Sequence, residues 1–158
     1  GAHETALIGE DILGIPTNVI PRITGTAFGK YEEMKVWGGD YPTRDGTCVR
    51  DYIHVMDIAN AHTKAMQYFL AGRSKNACEV FNLGTGNGVT VLEAIHSFEK
   101  VSGVKLNYSI GPRRDGDVVE IYADNAKAKK VLGWEITRDL DNMMLTAWKW
   151  QQQSIKSN

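Results

Sequence analysis

The stretch that decides the fold reads Gly39-Asp-Tyr-Pro-Thr-Arg-Asp-Gly-Thr-Cys-Val-Arg-Asp-Tyr-Ile-His-Val-Met-Asp57. Within it, Asp45-Gly46 is a dipeptide typical of tight turns. The residues that follow, Thr47 to Val55, are rich in β-branched and aromatic side chains, a composition typical of strands. The stretch therefore predicts a hairpin turn that leads into a strand, with Arg50 held on that rigid element.

An arginine on a rigid strand has two interpretations. A fixed guanidinium can bind a phosphate through paired hydrogen bonds, which a flexible lysine does less well. Arg50 could equally form a structural salt bridge with Asp51 or Asp57, both of which are close in the sequence. The residues alone leave both interpretations open.

The composition is that of an ordinary globular protein. The chain has 158 residues, 42% hydrophobic and 23% charged, which predicts one domain or a piece of a larger one. A formal net charge of -1 gives no reason to expect nucleic acid or a membrane as partner. No apolar run approaches the ~18 residues of a membrane span and no signal peptide is evident, so we expect a cytoplasmic protein. Cys48 and Cys78 lack metal-ligand spacing, and we expect free thiols and no metal site.

Strand and helix signals alternate along the chain, which predicts a mixed α/β protein. Caps and apolar periodicity place the individual elements. The predicted helices lie at about 18–28, 57–70, 90–103, 124–132 and from 137 onward, with caps at Asp57, Thr90 and Thr137, and the predicted strands lie at 35–38, 47–55, 79–83 and 106–110. The second helix is expected to bury a stripe of Ile58, Ala61, Ala65, Met66, Phe69 and Leu70, and polar residues 151–158 are expected to fray.

The sequence contains no complete catalytic group. The turn Gly84-Thr-Gly-Asn-Gly88 departs from both the G-x-G-x-x-G dinucleotide fingerprint and the P-loop, so a structural turn is the better interpretation. Tyr31 and Lys35 have the Y-x-x-x-K spacing but fall across a predicted loop and strand rather than on one helix. We therefore predict no catalytic, cofactor-binding or metal-binding residue. What remains is a set of groups suited to a phosphorylated, aromatic-bearing ligand: Asn18, Trp37, Arg50, Arg113, Arg114 and Asp117.

Three segments resemble the UDP-glucose 4-epimerase family of the extended short-chain dehydrogenase/reductase superfamily. They are residues 40–57 of the stretch quoted above, Phe81-Asn-Leu-Gly-Thr-Gly86 and Pro112-Arg-Arg-Asp-Gly-Asp117. The resemblance runs from Gly1 to about Trp150. It implies a Rossmann-type enzyme that uses NAD to interconvert the C4 hydroxyl configuration of UDP-glucose and UDP-galactose.

The amino-terminal half of that family carries the glycine fingerprint for NAD and the catalytic Ser and Tyr-x-x-x-Lys residues, and this sequence contains none of them. The resemblance therefore implies that residues 1–158 correspond to the carboxy-terminal, UDP-sugar-binding half. Strands and a helix at about 47–84 would return to the nucleotide-binding domain. The parent is expected to be an NAD-dependent isomerase and a homodimer, and this half alone to be inactive and to self-associate.

The resemblance also implies contacts with the uridine end of the substrate. Asn18 and Val19 match the start of a helix whose backbone and amide meet the diphosphate and uridine, and a helix amino terminus attracts phosphate by itself. Lys35, Val36 and Trp37 match a short strand that lies along the uracil, where an aromatic ring can stack on the base.

The same resemblance assigns the phosphate and sugar contacts. Arg50 and Arg114 match two arginines that neutralise the diphosphate, and Asp117 matches a carboxylate that holds a ribose hydroxyl. Ile121 matches a position whose size governs whether an N-acetyl group fits beside the sugar, a role that neighbouring Tyr122 could share.

Two alternatives remain open from the sequence. One is a stand-alone module that binds nucleotide sugars and has no catalytic half. The other is an enzyme of the same superfamily that acts on a different UDP-sugar, such as a pentose derivative.

Overall fold

The computed structural model describes residues 1–12 and 14–154. Short strands alternate with helices, as the sequence predicts. In chain order the elements are α1 (Val19–Ala27), β1 (Met34–Trp37), β2 (Val49–Arg50), α2 (Val55–Leu70), β3 (Val89–Thr90), α3 (Val91–Ser102), β4 (Tyr108–Gly111), α4 (Ala126–Leu132) and α5 (Leu140–Ser154). Among these residues, no helix is long and apolar enough to cross a membrane.

The main core lies between helices α1, α3 and α5 and the pair β1 and β4. These two strands run parallel, with Met34 opposite Tyr108 and Trp37 opposite Gly111. Their buried face and the apolar stripes of the helices share one cluster of Ile23, Met34, Val36, Ala94, Ile95, Phe98, Leu106 and Met144. Burial of this apolar surface is the dominant favourable term in folding. The core therefore fixes α1 and β1 relative to each other.

A second, smaller cluster joins α2 to α4. It consists of Ala61, Ala128 and Trp134, with Ile53, Phe81, Leu83, Leu132 and Ile136 packed partly buried around it. The indole Nε1 of Trp134 donates to the Asp57 carbonyl at 2.8 Å, so the ring satisfies its polar atom while its body fills the cluster.

Helix α3 begins and ends as predicted. The Thr90 hydroxyl accepts from the Glu93 amide at 3.1 Å, and the Glu93 carboxylate accepts from the Thr90 amide at 2.9 Å. This reciprocal capping box satisfies two amides that the helix leaves without partners. At the other end, Gly103 has a φ of 71°, a left-handed conformation that favours glycine.

The predicted strand over 47–55 is mostly wrong. Only Val49 and Arg50 form a strand, β2, which pairs antiparallel with β3. The other edge of β2 meets an irregular segment, where the Val49 amide donates to the Val119 carbonyl at 2.9 Å and the Ile121 amide donates to the Val49 carbonyl at 3.2 Å. Strand pairing stops there, and the β-rich composition of the next residues cannot extend a strand without a partner.

The predicted helix caps at Asp57 and Thr137 are also wrong. Helix α2 begins at Val55 with His54 as its cap, whose Nδ1 accepts from the Met56 amide at 3.1 Å. Helix α5 begins at Leu140, after Asp139, whose Oδ1 accepts from the Asn142 amide at 2.8 Å.

Asp57 and Thr137 bind each other instead. The buried Asp57 carboxylate accepts from the amide and hydroxyl of Thr137 at 3.1 and 2.5 Å, and from the amide and guanidinium of Arg138 at 3.0 and 3.1 Å. Burial alone would raise the pKa of Asp57, but these hydrogen bonds outweigh it and the pKa is lowered. Asp57 therefore joins the start of α2 to the segment that leads into α5.

The apolar stripe predicted for α2 is largely exposed. Ala61 is buried, but Met66, Phe69 and Leu70 are 61%, 62% and 79% exposed. The strand predicted at 79–83 is wrong as well, since no described strand pairs with it. Both errors have the same physical cause. Within the described part of the chain, no layer of structure covers this face, so its apolar side chains have nothing to pack against. The fraying predicted for residues 151–158 is wrong for residues 151–154, which continue helix α5 with the Gln151 side chain buried. Residues 155–158 lie outside the described residues.

We expect Asp57→Ala to lower the free energy of unfolding by about 2–3 kcal/mol, because several donors lose a buried charged acceptor. Urea denaturation of the variant measures this, with Asp115→Ala as the control, since Asp115 is exposed. The folded pKa of Asp57 is lowered from 3.8, so its stabilisation is complete above that pH and is lost as the pH falls through the folded pKa. A loss at pH 7 no larger than that of the control would contradict the role given to Asp57.

Candidate functional site

Two cavities meet at a pair of arginines. One has a volume of about 880 Å³ and the other about 460 Å³. Val19, Arg50 and Arg114 line both of them. Arg50 and Arg114 are 64 positions apart in the sequence, so the fold rather than local sequence brings their side chains to one place.

Strand β1 and an aspartate form the wall of the smaller cavity. Its lining includes Lys35, Val36 and Trp37 from β1, together with Cys48 and Asp117. The Lys35 ammonium is held to one side, because it donates to Ser109 Oγ at 2.9 Å. The partly exposed Trp37 indole therefore offers a flat aromatic surface beside the strand backbone.

The start of α1 and the segment after β2 line the larger cavity. Thr17, Asn18 and Val19 contribute from α1, and Tyr52 and Ile53 contribute from the other side. Asn18 stands at the cap position of α1, but within the described residues its side chain makes no capping hydrogen bond. The first N–H groups of the helix have no intrahelical partner and point out of this end of α1, where an anion is favoured.

Both guanidinium groups face the same carboxylate. Arg114 Nη2 donates to Asp117 Oδ1 at 2.7 Å, and Arg50 Nη2 lies 3.6 Å from that same oxygen. Arg50 Nη1 also donates to the carbonyls of Val49 and Val118 at 2.8 and 2.6 Å, which fixes its direction. One carboxylate balances one of the two positive charges, so the cluster keeps a net positive charge at the junction of the cavities.

The salt bridges from Arg50 to Asp51 or Asp57 that the sequence left open do not form. Asp57 binds Thr137 and Arg138, as described above. Asp51 accepts from the amide and hydroxyl of Thr85, both at 2.8 Å, and from the Ala123 amide at 2.9 Å. The aspartate after Arg50 therefore anchors the strand and leaves the guanidinium to Asp117.

The glycine-rich turn at 84–88 receives Asp51. A Cβ added at Gly84 would lie 2.1 Å from Asp51 Oδ2, so only glycine allows the carboxylate to approach this closely. The adjoining amino terminus of α3 is already occupied by Glu93 of the capping box. The turn therefore has a structural role, as predicted.

Sequence analysis missed Tyr52. Its hydroxyl is buried, has no hydrogen-bond partner among the described residues, and belongs to a side chain that lines the larger cavity. Burial raises the pKa of this phenol to about 12, so it is a neutral donor at physiological pH. Its position two residues after Arg50 was the available signal, because alternate residues of an extended segment share a face.

Arg113 and Ile121 are the predicted site residues that line neither cavity. The Ile121 side chain is 56% exposed, and its amide is held by the Val49 carbonyl. The other eight predicted residues, Asn18, Val19, Lys35, Val36, Trp37, Arg50, Arg114 and Asp117, all line one cavity or both. Their binding roles, and the steric role of Ile121, stay predictions. Among the described residues, no group of three or more His, Cys, Asp or Glu could hold a metal ion.

The sequence of residues 3–146 matches the family model described as GDP-mannose 4,6 dehydratase, and the chain belongs to this family. Its curated relatives include a UDP-glucose 4-epimerase of Bacillus subtilis, 48% identical over 98% of this chain and 45% of the relative. Another is a bifunctional UDP-glucose 4-epimerase and UDP-xylose 4-epimerase of Arabidopsis thaliana, 49% identical over 95% of this chain and 42% of the relative. The chain spans less than half the length of these relatives.

Solved structures give the same result. A UDP-glucose 4-epimerase from Stenotrophomonas maltophila, with bound NAD and formylated UDP-arabinopyranose, has a TM-score of 0.94 and 46% identity over 100% of this chain and 46% of that one. The enzyme from Bifidobacterium longum, in complex with NAD+ and UDP, has a TM-score of 0.91 and 44% identity over the same shares. The resemblance to UDP-glucose 4-epimerases and the fold class are therefore confirmed.

We expect Tyr52→Phe to raise the free energy of unfolding by about 1 kcal/mol, because it removes a buried hydroxyl that has no partner. The matched control is Tyr68→Phe, which removes a hydroxyl bonded to Glu79 Oε1 at 3.1 Å and should destabilise the chain. Chemical denaturation of both variants tests the contrast. Destabilisation by Tyr52→Phe equal to that of the control would show that the Tyr52 hydroxyl has a partner inside the fold.

Proposed function

We propose that this chain is the UDP-sugar-binding part of a UDP-glucose 4-epimerase, an NAD-dependent isomerase that interconverts UDP-glucose and UDP-galactose. The observation that carries the proposal is the convergence of Arg50 and Arg114 at the junction of two cavities. Two guanidinium groups with one carboxylate between them suit a diphosphate, which brings the negative charge that the cluster lacks.

The two cavities suit the two ends of a nucleotide sugar. We assign the uridine to the smaller cavity, where Trp37 can stack on the base and β1 can contact its edge. Asp117 lies at the border of this cavity, within reach of a ribose hydroxyl. The diphosphate lies between Arg50 and Arg114, close to the start of α1, and the hexose extends into the larger cavity towards Asn18 and Tyr52.

The role of this chain in catalysis is to hold the sugar in one place. A fixed diphosphate keeps the pyranose ring within reach of the reacting groups while the intermediate turns, and such positioning supplies a large part of enzymatic rate enhancement. In this proposal NAD and the proton-accepting residues belong to the remainder of the parent enzyme. The described residues do not contain the G-x-G-x-x-G fingerprint, and their one Tyr-x-x-x-Lys spacing, Tyr31 to Lys35, does not lie on a helix.

The exposed side chains of α2 favour a parent enzyme over a stand-alone binding module. Met66, Phe69 and Leu70 form an apolar surface that a soluble module would be expected to cover. We propose that the nucleotide-binding domain of the parent covers it, and that the isolated chain self-associates there. The parent is further proposed to be a cytoplasmic homodimer that acts in galactose metabolism.

The preferred sugar is a second part of the proposal. One similar structure is a UDP-Glc/GlcNAc 4-epimerase from Campylobacter jejuni, 36% identical to this chain, and the Arabidopsis relative is named for UDP-glucose and UDP-xylose. We propose that the contacts with UDP are common to all these substrates and that the sugar is selected elsewhere. Ile121 is the candidate in this chain for that selection.

We expect Arg114→Ala to weaken UDP binding to this chain by about 1–2 kcal/mol, since a charge-assisted hydrogen bond to the diphosphate is lost. Isothermal titration calorimetry measures the change in Kd. Arg73→Ala is the matched control, because Arg73 is exposed and its guanidinium lies over Tyr68, away from both cavities. Equal affinities of Arg114→Ala and the control would refute the assignment of the diphosphate.

We also expect the 158-residue chain alone to show no turnover of UDP-galactose, because it lacks the groups that accept the hydride and the proton. A coupled assay for UDP-glucose formation tests this, with the same assay on the full-length parent as the positive control. Turnover by the isolated chain above the buffer rate would contradict this division of roles.

A further inference from the structure

We propose that Arg113 is a positioning residue that clamps residues 112–117, called here the arginine loop, onto the turn at residues 38–46. The clamp sets the positions of Arg114 and Asp117 and thereby the affinity for the diphosphate. This inference rests on the proposed function. It assigns a role to Arg113, the neighbour of the cavity-lining Arg114.

Arg113 holds the turn through three separate contacts. Its Nε donates to Asp40 Oδ1 at 2.8 Å, and its Nη2 donates to the Asp40 carbonyl at 2.6 Å. The central carbon of the guanidinium lies 4.4 Å from the centroid of the Tyr41 ring. Only a planar group with several donors can make all three contacts at once, so lysine cannot replace arginine here.

The surface under the clamp is rigid. Tyr41 is buried, and its amide donates to the Gly46 carbonyl at 2.9 Å, which closes the turn. Gly38 has a φ of 79°, and an added Cβ would lie 2.2 Å from the Tyr41 ring, so the ring packs directly on the backbone that leaves β1. Burial and the neighbouring Cys48 raise the pKa of Tyr41. Because Cys48 lines the smaller cavity, the clamp rests on one wall of the candidate site.

The arginine loop has few other attachments. At its start, the Gly38 amide donates to the Gly111 carbonyl at 3.1 Å, and at its end Asp117 pairs with Arg50. Between residues 112 and 116, Arg113 makes the side-chain hydrogen bonds that reach the rest of the described chain. The amide of Asp117 bonds back to the Arg114 carbonyl at 3.2 Å, within the loop itself. Without Arg113, the loop would be free to move between its two ends.

The exposure of Arg113 and Asp40 makes it possible to distinguish a positioning role from a contribution to the stability of the whole fold. The side chains of Arg113 and Asp40 are 48% and 74% exposed. Exposed ion pairs contribute little to the stability of a fold. The loss of Arg113 should therefore act on the loop and on ligand affinity while the unfolding midpoint of the chain stays almost unchanged.

The test compares the Kd for UDP and the Tm of the 158-residue chain in four variants: Arg113→Ala, Arg113→Lys, Asp40→Ala and the double variant Arg113→Ala with Asp40→Ala. We expect Arg113→Ala to raise the Kd about tenfold with a Tm within about 1 °C of the unmodified chain, since a misplaced binding group loses most of its interaction. Arg113→Lys should not restore the affinity. Asp40→Ala should weaken binding in the same direction, and the double variant should bind no worse than Arg113→Ala.

Other outcomes would overturn the inference. If Arg113 simply attracted the diphosphate as a third cation, Arg113→Lys would restore binding and Asp40→Ala would strengthen it. If Arg113 stabilised the whole fold, Tm would fall together with the affinity. Normal UDP binding by Arg113→Ala, alongside weakened binding by Arg114→Ala, would reject the clamp and retain the proposed function. Absence of UDP binding by the unmodified chain would reject both.

Discussion

The structure of the candidate site depends on one carboxylate shared by two guanidinium groups. Asp117 Oδ1 accepts from Arg114 at 2.7 Å and lies 3.6 Å from Arg50. Two neighbouring cations repel each other, and the carboxylate between them offsets that repulsion. It also leaves one positive charge in excess. The three groups therefore stabilise one another and still attract a diphosphate.

The rest of the fold serves to hold these three groups. Arg50 stands on the two-residue strand β2, which is fixed on one side by β3 and on the other by the segment at 119–121. Asp51, the residue after Arg50, binds the glycine-rich turn. The main core holds α1 and β1 in place beside the site. These elements are short, but each is held in place because it has bonding or packing partners on more than one side.

The sequence predicted the parts of the fold that are determined locally. The capping box at Thr90 and Glu93 and the glycine that ends α3 depend on nearby residues and are present as expected. Strands β1 and β4 also form close to their predicted positions, although they pair with each other from distant parts of the sequence. Predictions failed where distant residues decide: Asp57 has the composition of a cap but binds Thr137 and Arg138, and α2 has an apolar stripe that nothing in the described chain covers. The candidate site shows the same contrast between what the sequence can predict and what distant residues decide. The resemblance named residues that do line the cavities, but no pattern in the sequence could show that Asp117 joins Arg50 to Arg114 or that Tyr52 leaves its hydroxyl without a partner.

The most direct test of the central claim is a crystal structure of this chain with UDP. The account predicts that the diphosphate lies between the side chains of Arg50 and Arg114, with guanidinium nitrogens of both within about 3 Å of its oxygens, and that the uracil stacks beside Trp37. A diphosphate that contacts neither arginine, or UDP bound outside the two cavities that these arginines share, would contradict it.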